Sequence, residues 1–521
     1  MENKKIKLFS TIALVTLALL VVGATYAYFQ NQYGSASNAD VKVMTYTTDV
    51  LTFETGDAIN ISADQETFAE GKGNQTGSTF ARATLQANNK TNTATANYYV
   101  YLNIENNTFT YTNAGTPELI LQVIDKDSGN PVTSITGLDY VTVTDGKNTS
   151  ISGFDITDKS GLIALFLNKE ISASPKTVEE YTVTITLVNH DFDQNNNTGK
   201  NLNGKLIIQK GELSLADYVI SRYTGIQGEN GIYYHDSNLT NGAEDNSYRF
   251  AGSNPDNYVC FGSDEATCPH ENLYRMIGLI DGKIKLISAD YATTDILGTD
   301  GGYEETYQET GWSISNYKGS VNTSKIGVYR WNASRDNNTW SDSTTNLTNL
   351  NKNYLAYLDA KDSKWQKMID DTTWYVGGLT GDNGQKTNAK TAYNYEVGVN
   401  KDVSTTYQAK IGLMYVSDYY YGASAEYWVL PGIDSSKNDY RKTYNDNWIN
   451  LGMLEWTLSR IIDSSDDNKS SFFIDGEGYV VKSVVTVDTP LRPTFNLSSS
   501  VKYVSGDGSI DSPIRLSLWE E

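Results

Sequence analysis

Histidine is almost missing from this chain. Three of the 521 residues are histidine, at positions 190, 235 and 270, and no H-E-x-x-H spacing occurs. That excludes a zincin-type metalloprotease and narrows every hydrolytic mechanism that relies on an imidazole base. Cysteine is limited to Cys260 and Cys268, proline to nine residues, and tryptophan is absent before Trp312. Basic residues are outnumbered 41 to 63, giving a net charge of −22. Such a surface repels phosphate backbones, so no nucleic-acid partner is expected. A phosphate loop, a dinucleotide fingerprint and a complete EF-hand loop are all lacking, and no catalytic residue, metal set or cofactor is assigned.

What is abundant is Asn, Thr, Ser, Gly and Tyr, with 37 tyrosines. Tyr and Thr fit half-buried strands, and 521 residues exceed what one core holds, so a multidomain chain is expected. Residues 28–210 read as all-β. From Tyr181 to Leu187 apolar residues alternate with Thr, and Tyr98, Val100, Leu102 and Ile104 form a second such face opposite Tyr99, Tyr101 and Asn103. Shorter apolar runs at Leu119–Ile124, Tyr140–Val143 and Leu206–Ile208 are separated by turn clusters such as DKDSGN and TDGKN. The pattern predicts a β-sandwich of jelly-roll or immunoglobulin-like topology. Residues 211–521 read as α+β. Helices are expected after Ser214, over Asn349–Leu358, and over Lys364–Asp371 with Ser363 as its cap. Strands are expected in LYRMIGLI, KIKLIS, KIGLMYV and SFFIDGEGYVVKSVV.

The chain opens with three lysines, a mostly apolar run from Leu8 to Ala24, and small residues at Thr25 and Ala27. A basic head, an apolar core and a small-x-small exit make residues 1–27 a secretory signal peptide with cleavage between Ala27 and Tyr28. An uncleaved anchor is the rival reading, because seventeen apolar residues reach the lower edge of a membrane span. Either way, contact with a membrane is expected only through this segment, and the rest is expected outside the cell or on its surface. The segment GATYAYFQNQ (Gly23 to Gln32) resembles the leader of camelysin/TasA-type biofilm-fibre proteins of Gram-positive bacteria. The resemblance implies a secreted matrix protein that self-assembles through its mature N-terminal segment, where a polar stretch, Asn31 to Asp40, precedes an alternating run, Val41 to Thr47.

Near the other end, EWTLSRIIDSS, FFIDGEGYVV and LRPTFNL are similar to the closing part of C-type-lectin-like domains of the formylglycine-generating-enzyme type. Trp456, Ser459, Gly476, Gly478, Arg492 and Pro493 are the matching positions. The wider region resembles uncharacterised surface proteins of Gram-positive bacteria. This resemblance implies a lectin-like display domain over residues 211–521. Its enzyme activity does not carry over, since no cysteine lies beyond Cys268, and the calcium tripeptides of sugar-binding lectins are absent.

Cys260 and Cys268 are read as a disulfide, because exported chains meet an oxidising side and the pair is even in number. Closing so short a loop is worth about 2.5 kcal/mol by loop entropy. The crowded aromatics Tyr419, Tyr420, Tyr421, Tyr427 and Trp428 are either a stacking face for a glycan or host protein or packing beneath a long loop. The expected function is thus a non-enzymatic surface or matrix protein. An adhesin acting through the C-terminal domain is the first alternative, and a secreted hydrolase using a carboxylate pair the second.

The exported protein is expected to begin at Tyr28. Its intact mass checks this: retention of Lys4 to Ala27 would make the segment an anchor.

Overall fold

The alternation from Tyr181 to Leu187 lies within a twelve-residue strand, Lys176–Leu187, with Tyr181, Val183, Ile185 and Leu187 turned into a core. The computed structural model describes residues 49–518, apart from 70, 88–92, 136, 305–315, 334–336, 402–403 and 463–468. The leader, the cleavage site at Ala27 and Tyr28, and the run from Val41 to Thr47 therefore lie outside the described residues. The chain divides into two units between Glu212 and Leu213.

Among its described residues the first unit has ten strands: β1 (Val50–Thr55), β2 (Ile59–Ser62), β3 (Gln75–Gln86), β4 (Ala94–Asn107), β5 (Leu119–Asp125), β6 (Tyr140–Thr144), β7 (Ser150–Asp155), β8 (Gly161–Ala173), β9 (Lys176–Leu187) and β10 (Asn201–Gln209). They form two antiparallel sheets, ordered β1-β3-β9-β5-β7-β6 and β2-β10-β4-β8. One apolar core draws on both sheets, with Ala83, Leu121 and Val183 from one and Val100, Ile163 and Leu206 from the other. The arrangement is sandwich-like. β4 departs from the expected half-exposed pattern: Tyr99, Tyr101 and Asn103 are buried as well as the opposite face. The DKDSGN cluster closes on itself, since Asp125 Oδ1 accepts from the Asp127 and Ser128 amides at 3.0 and 2.8 Å.

The second unit mixes helices and strands. It holds β11 (Ile232–Tyr234), β12 (Tyr248–Phe250), β13 (Tyr258–Cys260), β14 (Leu273–Ile280) and β15 (Lys283–Ser288). Its central sheet runs β11-β12-β14-β15, continues through Thr494–Asn496 to Ile411–Gly412, and carries β13 on β14. A three-stranded sheet, Glu455–Arg460, Ser470–Ile474 and Val480–Val484, packs in the same unit. The entry helix is Leu215–Arg222, capped by Ser214, whose Oγ accepts from the Asp217 amide at 3.0 Å. Beside it Tyr503 donates its amide to Leu213 O at 2.8 Å, and Tyr218 stacks on Tyr503 with centroids 4.4 Å apart.

Three local expectations are corrected. Asp362, not Ser363, caps the third helix, because its carboxylate reaches the Lys364 amide, and that helix stops at Lys367. The second begins earlier, as a π-helical stretch over Thr345–Tyr354 that continues α-helical to Lys361. KIGLMYV is a strand only at Ile411–Gly412, because the segment after it leads into the Val416–Gly422 helix.

Gly153, on β7, marks a close approach. A Cβ there would lie 2.5 Å from Leu121 O and 2.6 Å from the Ile120 side chain. Gly153→Ala is expected to destabilise the first unit by about 1–3 kcal/mol, the usual cost of overpacking, read as a lower denaturation midpoint.

Candidate functional site

β15 is buried on both faces, so a charge on it has to find its partner inside. Lys285 points into the centre of the second unit and donates to Asp418 Oδ2 at 2.5 Å, with both side chains at most 5% exposed. Asp418 sits in the first turn of the Val416–Gly422 helix, where Oδ2 also accepts from the Tyr415 amide at 2.8 Å. Its other oxygen lies 3.7 Å from Arg249 Nη1, and Arg249 is paired with Asp245 at 2.8 Å. The rings of Tyr415 and Trp374 flank the ammonium at 4.2 and 5.5 Å. Burial pulls Lys285 below the ordinary lysine range, and Asp418 opposes that shift.

Glu396 ends the Ala389–Glu396 helix against the same turn. Its two oxygens accept from the Val416 and Ser417 amides at 3.1 and 3.0 Å, and Ser459 Oγ hydrogen-bonds to it. Burial pushes Glu396 up to about 7, against the hydrogen bonds from Ser417 and Ser459. His235 is buried nearby, accepts at Nδ1 from the Ala243 amide at 3.0 Å, and is held well below the usual histidine range by burial and by Arg249. These groups are enclosed. They can exchange protons and hold elements together, and among the described residues Lys285, Asp418, Glu396 and His235 are each buried.

The aromatic run lies largely in the interior. Tyr419, Tyr420, Tyr421 and Trp428 are buried, and Tyr427 is half-buried. Tyr419 to Tyr421 lie in the Val416–Gly422 helix, every residue of which is buried, and their hydroxyls bond internally: Tyr419 donates to Gly478 O at 3.0 Å, Tyr420 to Gly384 O at 2.6 Å and Tyr421 to Asn241 O at 3.2 Å. The positions matching the lectin-like motif are also interior. Trp456 donates to Tyr329 O at 3.0 Å, and Ser459 is the partner of Glu396. Gly476 and Gly478 form the turn of the hairpin that joins Ser470–Ile474 to Val480–Val484, with Gly478 at φ +92°. Arg492 is paired with Glu455 through two bonds of 2.7 and 2.8 Å and donates to Ile449 O at 2.6 Å. Pro493 O accepts from the Ser288 amide at 3.1 Å.

An open site lies beside the disulfide. Cys260 and Cys268 are bonded, so neither offers a thiolate. The loop between them forms one wall of a groove of about 340 Å3, through Ser263, Asp264, Glu265 and Ala266. The opposite wall is the terminal hairpin, Val501–Ser505 with Arg515–Leu518, and Trp365 lies between them. Arg515 ties the walls together: it donates to Ala266 O at 2.8 Å, and its second nitrogen lies 3.2 Å from Cys260 Sγ. Lys364 pairs with Asp264, while Glu265 is exposed at the rim. Among the described residues no group of three metal-ligating side chains converges, and no helix is long and apolar enough to cross a membrane.

No known protein-family model, curated protein or solved structure matches this chain.

Glu396 makes stability depend on pH. Its folded value of about 7 lies above its unfolded 4.5, so its contribution is complete below about 4.5 and is lost as pH rises through 7. The loss is on the order of 3 kcal/mol. Melting temperatures of wild type and Glu396→Gln between pH 5 and 8 check this, with the wild type losing more stability than the variant across that window.

Proposed function

We propose that this chain is an exported surface or matrix protein whose second unit is a non-catalytic display domain that binds a ligand in the groove beside its disulfide loop. The groove is the observation that carries the reading: it is open, walled by a covalently closed loop, and mixes apolar and charged groups. Recognition sites combine such surfaces with a few fixed polar groups, and a bonded cysteine pair suits an oxidising compartment. The titratable groups with the largest shifts are enclosed, which favours display over turnover.

The lectin-like assignment of the second unit belongs to this proposal and draws on the motif positions just described. So does self-assembly through the mature segment from Tyr28, which would give the matrix role its scaffold. Binding of a glycan or a host protein through the groove is the adhesin form of the same reading. The groove supports that form better than the tyrosine cluster did.

The full chain applied to glycan and extracellular-matrix-protein arrays tests this. A bound ligand is expected to weaken by about tenfold, roughly 1.4 kcal/mol, in Glu265→Ala or after the disulfide is reduced. Binding that is indifferent to both changes would move the site elsewhere, and specific hydrolysis of an arrayed glycan would replace display with catalysis.

A further inference from the structure

The Lys285–Asp418 pair is placed for a reaction as well as for an ion pair. We propose that Lys285 Nζ and the Asp418 carboxyl join in an intramolecular amide bond that forms without any cofactor once the second unit has folded. Three observations carry this: a 2.5 Å approach, exposure of at most 5% on both sides, and aromatic walls that keep water out.

In water an ammonium and a carboxylate do not condense, because both are stabilised as ions and water hydrolyses the product. Taken out of water, the ions lose that stabilisation, and the neutral amine and neutral acid become the accessible alternative. The fold also holds the two groups together, which converts a bimolecular encounter into a unimolecular one.

The step balances. A proton passes from Nζ to the carboxylate along their hydrogen bond, leaving an amine and an acid. The nitrogen lone pair attacks Cγ, a C–N bond forms, and the carbonyl electrons move onto oxygen. Collapse of that intermediate breaks one C–O bond and expels the oxygen as water, with the acid proton and one proton from nitrogen. The sum is ammonium plus carboxylate giving amide plus water, with no change of oxidation state. The carbonyl oxygen on which negative charge develops is then Oδ1, which faces the Arg249 guanidinium at 3.7 Å, while the Tyr415 amide, 2.8 Å from Oδ2, holds the oxygen that leaves. Glu396 is a positioning residue. It holds the turn that presents Asp418 through the Val416 and Ser417 amides, and its charge acts on both partners.

Tryptic digestion of the full chain and mass spectrometry tests the bond. The expected result is one joined peptide pair, linked from Lys285 to Asp418 and lighter by one water than the two peptides together. Separate peptides, with cleavage after Lys285, would overturn the proposal. This readout uses the wild-type protein, so it does not depend on whether Lys285→Met folds. Glu396→Gln tests the positioning role: the joined fraction in freshly expressed chain is expected to fall, and its dependence on pH to flatten near neutrality. A joined fraction equal to wild type at every pH would remove Glu396 from the scheme.

Discussion

A charge taken out of water must be met by another, and the second unit is organised around that requirement. Arg492 meets Glu455 in a two-bond pair, Lys285 meets Asp418, and Arg249 bridges Asp245 and Asp418. Asp245 is local to Arg249, but the Arg492–Glu455, Lys285–Asp418 and Arg249–Asp418 contacts join segments far apart in the chain, so the helices and the central sheet are held in register by groups that tolerate little displacement. Apolar packing alone is indifferent to small slips, whereas a fork of two hydrogen bonds is not. The aromatic content serves the same end. Arg249 lies over the rings of Tyr393 and Tyr421, and Arg275 over those of Tyr258 and Trp448, which partly replaces the hydration that each guanidinium gives up.

The first unit is built differently. Its core is made by alternation, with Val183 and Ile185 on one sheet facing Val100 and Leu102 on the other. This is why it was the more legible part of the sequence. A period of two states directly which residues are inside, and the strands around Tyr98 and Tyr181 followed from it. Strands whose inner positions are mostly alanine and threonine, as in Gln75–Gln86 where Leu85 is the one large buried side chain, gave no comparable signal.

In the second unit periodicity misled. Tyr419 to Tyr421 are consecutive, so no helical stripe marks them, yet the short helix they form is buried on every side. Lys285 did leave a trace, as a charge set between Ile284 and Leu286 in a strand whose other lysine, Lys283, stands at its end, and a charge so placed requires an interior partner. Glu396 left none: its setting depends on Ser459 and on the turn at Val416, which only folding assembles. The groove is similar, since the loop at Ser263 and the hairpin at Arg515 are separated by 252 positions. The disulfide itself was legible because two cysteines allow one pairing within the chain.

The contact between Leu213 and Tyr503 has a mechanical meaning. The chain enters the second unit hydrogen-bonded to the strand that closes it, with Ser214 opposite Lys502 and the Tyr218 ring stacked on that of Tyr503. A pull applied at Leu213 and at the terminal hairpin would load this junction first. Tension would pass from one side of the junction to the other without crossing the central sheet, and the groove beside the hairpin would sit next to the line of force.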